Sequence, residues 1–215
     1  MRNVQFNRTD RLVNGFDRVL RTLWGTPQGT DRPNPAGRSH PDHNLPEAAR
    51  QRAGRLMRVN LAGEVAAQAL YHGQSLTARA PAVAARMQHA ANEENDHLLW
   101  CRARLGALET RGSLLNPLWY AGALVIGAGA GALGDAASLG FLEETERQVV
   151  AHLNGHLKRL PEADRASHRV LEQMSSDEAQ HGRNAHDAGA RRPPPPVRLA
   201  MRLASRVMTT TAYWL

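Results

Sequence analysis

The sequence predicts an all-α protein built around a four-helix bundle, and three observations lead to this prediction. Alanine, leucine and arginine, which favour helices, are abundant in the 215 residues, whereas aromatic side chains make up only 5%. Apolar residues recur at helical rather than strand spacing. Finally, one pattern occurs twice, a lone glutamate followed about thirty residues later by Glu-x-x-His. A pattern that repeats over two helix pairs indicates an internal duplication.

Composition limits the class of protein further. The length suffices for one domain with a full core, and the single cysteine, Cys101, excludes an intramolecular disulfide framework and fits a reducing compartment. Residues 1–6 contain no apolar signal core, so secretion is not expected. The net charge of +7 indicates an anionic partner or surface. No nucleic-acid recognition motif accompanies it, so we expect no nucleic-acid partner and favour an anionic membrane face.

The first 46 residues predict an amphipathic helix followed by a linker. Residues 9–24 carry an apolar stripe at helical spacing, and Thr9 or Asp10 is placed to cap the helix. Residues 25–46 are rich in Gly, Pro, Asn and Asp without periodicity, which is typical of an exposed linker. His40 and His43 lie in this stretch, and we interpret them as loop residues rather than metal ligands.

Residues 47–215 predict the bundle itself. Four helices are expected, over residues 47–74, 78–108, 136–160 and 162–189. Pro161 ends the third, and Pro193–Pro196 follow the fourth. The first helix carries Glu64 and the third Glu146. The second and fourth carry the two Glu-x-x-His motifs, Glu94 with His97 and Glu178 with His181.

These six residues have the composition of a dinuclear metal site. Positions i and i+3 share one helix face, so each Glu-x-x-His directs a carboxylate and an imidazole to the same side. Two helices giving one Glu each, and two giving Glu-x-x-His, supply the ligands of a di-iron or di-manganese carboxylate centre. Oxygen and imidazole ligands without thiolate suit iron or manganese better than structural zinc. The alternative is two solvated helix faces with chance spacing.

The connection between the two helix pairs is uncharged from residue 112 to 134. A crossover of this length is typical of ferritin-like bundles. The segment is long enough to span a membrane, but it contains six glycines and Pro117. We therefore expect it to pack over the bundle or dip into a membrane surface. Residues 129–134 match Gly-x-Gly-x-x-Gly, but no βαβ context surrounds them, so no dinucleotide site is expected.

The last segment, residues 197–215, is apolar and basic. Arg198, Arg202 and Arg206 recur every four residues beside Leu199, Leu203 and Val207. Such a helix can lie on an anionic bilayer, or it can cover the bundle with its apolar side. The two roles are compatible.

Several motifs together resemble the demethoxyubiquinone hydroxylase family, the di-iron 2-polyprenyl-3-methyl-6-methoxy-1,4-benzoquinone monooxygenases of ubiquinone biosynthesis. The motifs are RVNLAGEVAAQALY at residues 58–71, NPLWY at 116–120, LGF at 139–141, ETERQV at 144–149 and MSSDE at 174–178. The likeness covers nearly the whole chain and is highly specific.

This resemblance implies a cofactor, a reaction and partners. The six residues become the ligands of two iron ions per chain, with Glu94 and Glu178 bridging. The enzyme would use dioxygen and an external electron donor to hydroxylate the ring of a demethoxy polyprenyl benzoquinol. It would act as a peripheral protein on the cytoplasmic face of the cell membrane, as a homo-oligomer or within a ubiquinone-biosynthesis complex.

Two residues beside the ligands are further candidates for the site. Asp177 precedes Glu178 and is either a hydrogen-bond partner of a ligand imidazole or a solvated helix acid. His152, six positions after Glu146, is a candidate for a supporting or proton-delivering residue. Tyr71 and Tyr120 are interpreted as packing residues.

Two other functions share parts of this pattern. A ferritin-like iron oxidase or peroxidase would use the same ligands without needing the uncharged crossover and the basic tail. A non-enzymatic helical adaptor on a membrane would need those two segments but not the six ligands.

Overall fold

A computed structural model of the chain describes residues 8–37 and 45–215, and these ranges contain seven α-helices and no strand. The helices are α1 (Arg8–Leu23), α2 (Glu47–Thr77), α3 (Pro81–Ala107), α4 (Asn116–Ala132), α5 (Asp135–Leu157), α6 (Arg165–Asp187) and α7 (Pro195–Trp214). The all-α prediction is therefore confirmed for the described residues. His40, His43, the N-terminal residues 1–6 and the side chain of Thr9 lie outside them.

Two helix pairs form the bundle. α2 packs along α3, α5 packs along α6, and the pairs meet through α3 with α6 and α2 with α5. Local chemistry sets the helix ends. Pro81 occupies the first turn of α3, where its missing N–H costs nothing. The Asp164 carboxylate accepts a hydrogen bond from the Ser167 backbone N–H and caps α6, which therefore begins three residues later than predicted.

The core has three layers along the bundle axis. A large apolar cluster fills one end and includes Leu56, Met57, Leu98, Leu171 and Met174. A smaller cluster fills the other end and consists of Tyr71, Met87, Ala91, Leu139, Leu142 and Ala185. On α3, α5 and α6 the residues predicted as metal ligands lie between the two clusters in sequence, and on α2 Glu64 lies among residues of the large cluster that precede Tyr71. The bundle thus places a polar layer between two apolar ones.

The uncharged crossover folds into a helix, α4, which packs along α2. Glycines allow this close approach, since a Cβ on Gly73 would overlap the Leu124 carbonyl oxygen and a Cβ on Gly127 the Leu70 carbonyl oxygen. The outer side of α4 exposes Leu118, Val125 and Ile126 to solvent. Among the described helices, none combines the length and the hydropathy needed to cross a membrane.

The described part of the predicted linker, residues 25–37, contains no helix or strand and is mostly exposed, but it is attached to the bundle. Thr30 donates two hydrogen bonds to the buried Asp96 carboxylate, at 2.8 Å from its N and 2.5 Å from its Oγ1. Arg169 of α6 donates to the carbonyl oxygens of Pro35 and Ala36. A buried carboxylate needs such partners, and this requirement holds the polar segment in place.

The end of the C-terminal helix α7 docks on α2, and its start lies near α5. Ala212 is fully buried beside Val59 and Ala62 of α2, and Arg55 lies 4.6 Å from the Trp214 ring centroid. Earlier along α7, Leu199, Leu203 and Val207 are at least half exposed, with values of 50%, 55% and 58%. Most of the apolar stripe of α7 is therefore not used to cover the bundle.

Candidate metal centre

All six predicted ligands are buried inside the bundle, and each is at most 6% exposed. Glu64 comes from α2, Glu146 from α5, and the two Glu-x-x-His motifs from α3 and α6. Donor atoms of Glu64, Glu94, His97 and Glu178 lie within 4.8 Å of one another. Since burial of unpaired carboxylates is costly, a cluster of this kind needs positive charge at its centre.

Glu94 and Glu178 each contact both imidazoles. The Nδ1 of His97 lies 3.0 Å from Glu94 Oε2 and 3.3 Å from Glu178 Oε1. The Nδ1 of His181 lies 3.1 Å from Glu94 Oε1 and 3.2 Å from Glu178 Oε2. Each carboxylate therefore offers one oxygen to each histidine, which is the arrangement that two bridging carboxylates require between two metal positions.

The remaining two carboxylates have different partners. Glu64 Oε2 is 3.4 Å from Nδ1 of His97, so this pair marks one position. Glu146 lies within electrostatic reach of Glu178, Glu94 and His181, and its Oε1 accepts a 2.7 Å hydrogen bond from the Tyr71 hydroxyl. Glu64 thus pairs with His97, Glu94 and Glu178 lie between the two imidazoles, and Glu146 of α5 is the remaining carboxylate of the set.

The outer nitrogen of each imidazole is held by a carboxylate of the opposite helix. His97 Nε2 on α3 lies 3.0 Å from Asp177 Oδ2 on α6, and His181 Nε2 on α6 lies 2.9 Å from Glu93 Oε2 on α3. A carboxylate at Nε2 keeps the proton there and leaves Nδ1 free to face a metal ion. Of these acids, sequence reasoning proposed Asp177 and missed Glu93. The signal was present, since both motifs are preceded by an acid, as Glu93-Glu94 and Asp177-Glu178.

A further layer of charge supports Asp177. Arg32 donates from Nη2 to Asp177 Oδ2 at 2.6 Å, and its Nε lies 3.2 Å from Asp96 Oδ2. The same guanidinium carbon lies 4.8 Å from the Trp100 ring centroid. The segment between α1 and α2 thus contributes a cation that orients an acid behind the centre, which the linker prediction did not foresee.

The electrostatics of the cluster favour positive charge between the carboxylates. Burial raises the pKa of Glu64 and of Glu146 well above the ordinary range, and neighbouring carboxylates add to this. Burial opposes charge on His97, but the Glu94 carboxylate and Asp177 outweigh it and raise the pKa of this imidazole well above its ordinary value. For His181, burial is likewise outweighed, here by hydrogen bonds to Glu178 and Glu93, so its pKa rises too.

The donor set fits metal ions. Glu64 Oε2 and Glu94 Oε1 are buried oxygens that accept no aligned hydrogen bond, although imidazole nitrogens lie within 3.4 Å. Buried acceptor oxygens without a hydrogen-bond donor are unfavourable unless they bind a cation. Four carboxylates and two neutral imidazoles also balance the charge of two divalent ions.

The other predicted residues lie elsewhere. His152 contacts the ring of His156, with centroids 3.9 Å apart, and its buried Nε2 has no hydrogen-bond partner. Its described contacts involve none of the six ligands. Tyr71 does more than pack, because its hydroxyl donates to Glu146, whereas the Tyr120 hydroxyl pairs with His72 Nδ1 at 3.0 Å.

One cavity reaches the cluster. It has a volume of about 440 Å³ and includes His181, Glu93 and Tyr71 among residues of α2, α3, α5 and α6. Residues of α4 do not line it.

Comparisons with known proteins show the family to which the chain is similar. The family model described as "Ubiquinone biosynthesis protein COQ7" matches residues 51–212. The chain is 55% identical over 206 residues to the 3-demethoxyubiquinol 3-hydroxylase of Burkholderia cenocepacia, covering 96% of this chain and 99% of that protein. Proteins of the same name from Cupriavidus necator and Ralstonia pickettii are 57% and 54% identical, over 95% of this chain and 99% and 98% of theirs.

Proposed function

The chain belongs to the family of the ubiquinone biosynthesis protein COQ7, and we propose that it is a di-iron monooxygenase that hydroxylates the ring of a demethoxy polyprenyl benzoquinol. The observation that supports this proposal most directly is the pair of carboxylates, Glu94 and Glu178, each shared between two buried histidines. The relatives are named for this hydroxylation, and the likeness extends over nearly their whole length.

Iron at this site would supply the activation of dioxygen, so that one oxygen atom enters the ring C–H bond and the other leaves as water, with two electrons from an external donor and two protons. Glu64 and His97 would hold one ion, Glu146 and His181 the other, and Glu94 and Glu178 would bridge them. Carboxylates suit such a centre because each can bind through one oxygen or two.

The side chains around the ligands perform the supporting tasks. Asp177 and Glu93 fix the proton of each imidazole on Nε2 and so orient Nδ1 inward. Tyr71 donates its hydroxyl proton to one Glu146 oxygen and leaves the other oxygen available. The two apolar layers exclude bulk water, which protects reactive species and strengthens every charge interaction inside.

The direct test is incubation of purified, iron-loaded protein with a demethoxy quinol, dioxygen and a reductant. We expect one hydroxyl group per turnover and about two irons per chain, as the ligand count predicts. Glu178→Ala and Glu94→Ala remove a shared carboxylate and should abolish hydroxylation. A fully active Glu178→Ala enzyme would refute the assignment.

The same assay distinguishes the remaining candidates. A ferritin-like iron oxidase or peroxidase would consume oxygen or peroxide with ferrous iron but leave the quinol unchanged. A non-enzymatic adaptor would bind no iron at all. The names of the relatives favour the hydroxylase over both.

We also propose that the protein acts as a peripheral protein on the cytoplasmic face of the cell membrane. A polyprenyl tail is insoluble in water, so the substrate must be taken from a bilayer. The exposed apolar residues of α4 and α7, together with Arg202 and Arg206, form a surface suited to anionic lipid. Arg198 is half-buried at the start of the same row.

Sedimentation with vesicles tests this location. Changing Arg198, Arg202 and Arg206 to Glu should weaken binding to anionic vesicles at low salt by about a hundredfold or more, since each basic residue contributes roughly 1 kcal/mol. Iron content should not change. Equal binding of the unmodified protein to anionic and neutral vesicles across a salt series would contradict the electrostatic part of the proposal.

A further inference from the structure

The two halves of the centre differ in what lies behind them. His97 is fully buried, its ring lies 5.4 Å from that of Trp100, and the large apolar cluster continues beyond it. His181, in contrast, forms part of the wall of the 440 Å³ cavity. The His181 side of the centre is therefore the side that borders this cavity.

The cavity is lined by exposed residues at its mouth and by buried residues deeper inside. Ala85, Arg86 and His89 at its mouth are exposed, whereas Met87, Leu139 and Leu142 deeper inside are at most 7% exposed. The smaller apolar cluster forms these inner walls. This gradient describes a route from the surface to His181 rather than a closed void.

The chemistry of the walls suits an aromatic ring that carries few polar groups. Ligand cavities of 300–1,000 Å³ combine mainly apolar walls with a small number of polar contacts. Here the inner walls are apolar, and Glu93 and His181 supply polar atoms at the inner end. Two other described cavities, beside α1 and beside Trp24, contain none of the six ligands in their walls.

We propose that the benzoquinol ring of the substrate binds in this cavity and approaches the centre from the His181–Glu146 side, while the His97–Glu64 side is closed to it. This inference rests on the proposed function and adds the place and direction of substrate binding. Tyr71 lies between the cavity and the centre, since its side chain lines the cavity and its hydroxyl donates a hydrogen bond to Glu146.

Blocking the cavity tests this assignment. Ala90 of α3 lines the cavity and is half-buried, so Ala90→Phe should fill part of it. Ala84 is a half-buried alanine of the same helix that does not line it, so Ala84→Phe is the matched control. The probe is a demethoxy benzoquinone with a single isoprenyl unit, whose dissociation constant is measured by calorimetry in iron-free and iron-loaded protein.

We expect Ala90→Phe to raise the dissociation constant at least tenfold, with iron content and helix content unchanged, and Ala84→Phe to leave it within twofold of the unmodified protein. Ala85→Phe at the exposed mouth, which cannot disturb the core, should weaken binding as well. This second variant keeps the test decisive if Ala90→Phe does not fold.

The possible failures are distinguishable. If the unmodified protein neither binds nor hydroxylates the quinone, the proposed function fails and this inference with it. If the unmodified protein hydroxylates the substrate but the cavity variants bind the probe as tightly as it does, only the cavity assignment is overturned.

Discussion

At the residue scale, the acid that precedes each Glu-x-x-His motif acts on the opposite helix. Asp177 of α6 contacts His97 of α3, and Glu93 of α3 contacts His181 of α6. Each of the two ligand helices therefore supplies the acid that orients the histidine of the other. Acids that orient metal-binding histidines contribute strongly to metal affinity. The pair should therefore matter for iron binding although neither acid is expected to touch the metal.

Glu93→Gln and Asp177→Asn should each lower iron affinity by about 10- to 100-fold, because an amide no longer fixes the imidazole proton as a carboxylate does. Anaerobic titration with ferrous iron measures the effect. Glu143→Gln is the control, since Glu143 forms a similar contact to His186 at 3.1 Å on the surface, away from the ligands. Unchanged affinity for ferrous iron in both acid variants would refute the proposal that these acids orient the ligand histidines.

Tyr71→Phe removes the only described hydroxyl donor to Glu146 and leaves the ring in place. We expect it to lower iron affinity several-fold, because the buried carboxylate loses the hydrogen bond that orients it. Tyr120→Phe removes an equally buried hydroxyl, the partner of His72, and should cost about 1 kcal/mol of stability without affecting iron. Equal iron titrations for Tyr71→Phe and the unmodified protein would contradict this role.

The sequence predicted which side chains share a helix face better than it predicted their partners on other helices, for a physical reason. The i, i+3 spacing within one helix fixes which side chains share a face, so Glu94 with His97 and Glu178 with His181 could be predicted together. Contacts across the bundle depend on how two helices are aligned, which spacing along one chain does not determine. Glu93 and Arg32 were missed for this reason, and His152 was given a role that its contacts with His156 do not support.

At the scale of elements, the glycine content of residues 112–134 is the reason why the helix α4 was not predicted from the sequence. Six glycines between residues 112 and 134 lower intrinsic helix propensity, yet α4 forms because its small residues let it pack closely on α2. Residues 25–37 show the opposite case, since a composition typical of exposed loops is held in place by Asp96 and Arg169. In both segments, contacts with the rest of the fold outweighed the conformational preference of the local sequence.

The glycines of α4 are not equivalent. A Cβ on Gly131 would overlap Thr77 Oγ1 and lie 3.1 Å from the Gln74 carbonyl oxygen, whereas a Cβ on Gly129 would meet nothing within 4 Å. Gly131→Ala should therefore destabilise the protein by about 1–3 kcal/mol through overpacking, and Gly129→Ala should be neutral or stabilise it by up to about 1 kcal/mol. Urea unfolding measures both.

Neither glycine substitution should change the affinity for a nicotinamide cofactor, because these residues serve helix packing and not phosphate binding. Titration of both variants with NADH provides the check. A selective loss of NADH affinity in either variant would show that the Gly-x-Gly-x-x-Gly match has functional meaning.

At the scale of the whole molecule, the bundle encloses a layer of like charges between two apolar layers. In the absence of metal, the four carboxylates are offset by protons on the ligand groups, which is consistent with the raised pKa values of Glu64, Glu146 and His97. Metal binding must displace these protons, so it couples the centre to the stability of the entire fold.

Iron should consequently raise the thermal stability of the whole chain. Free ferrous iron at a hundredfold excess over its dissociation constant stabilises a folded state by about 2.7 kcal/mol, and for a protein of this size each kcal/mol raises the melting temperature by about 2–4 °C. We therefore expect chelation under anaerobic conditions to lower the melting temperature by roughly 5–10 °C and iron to restore it. Glu178→Ala, which lacks a shared carboxylate, should show little of this shift. An equal iron-dependent shift in that variant would mean that iron binds elsewhere, because the shared carboxylates would then not be what couples the metal to the stability of the fold.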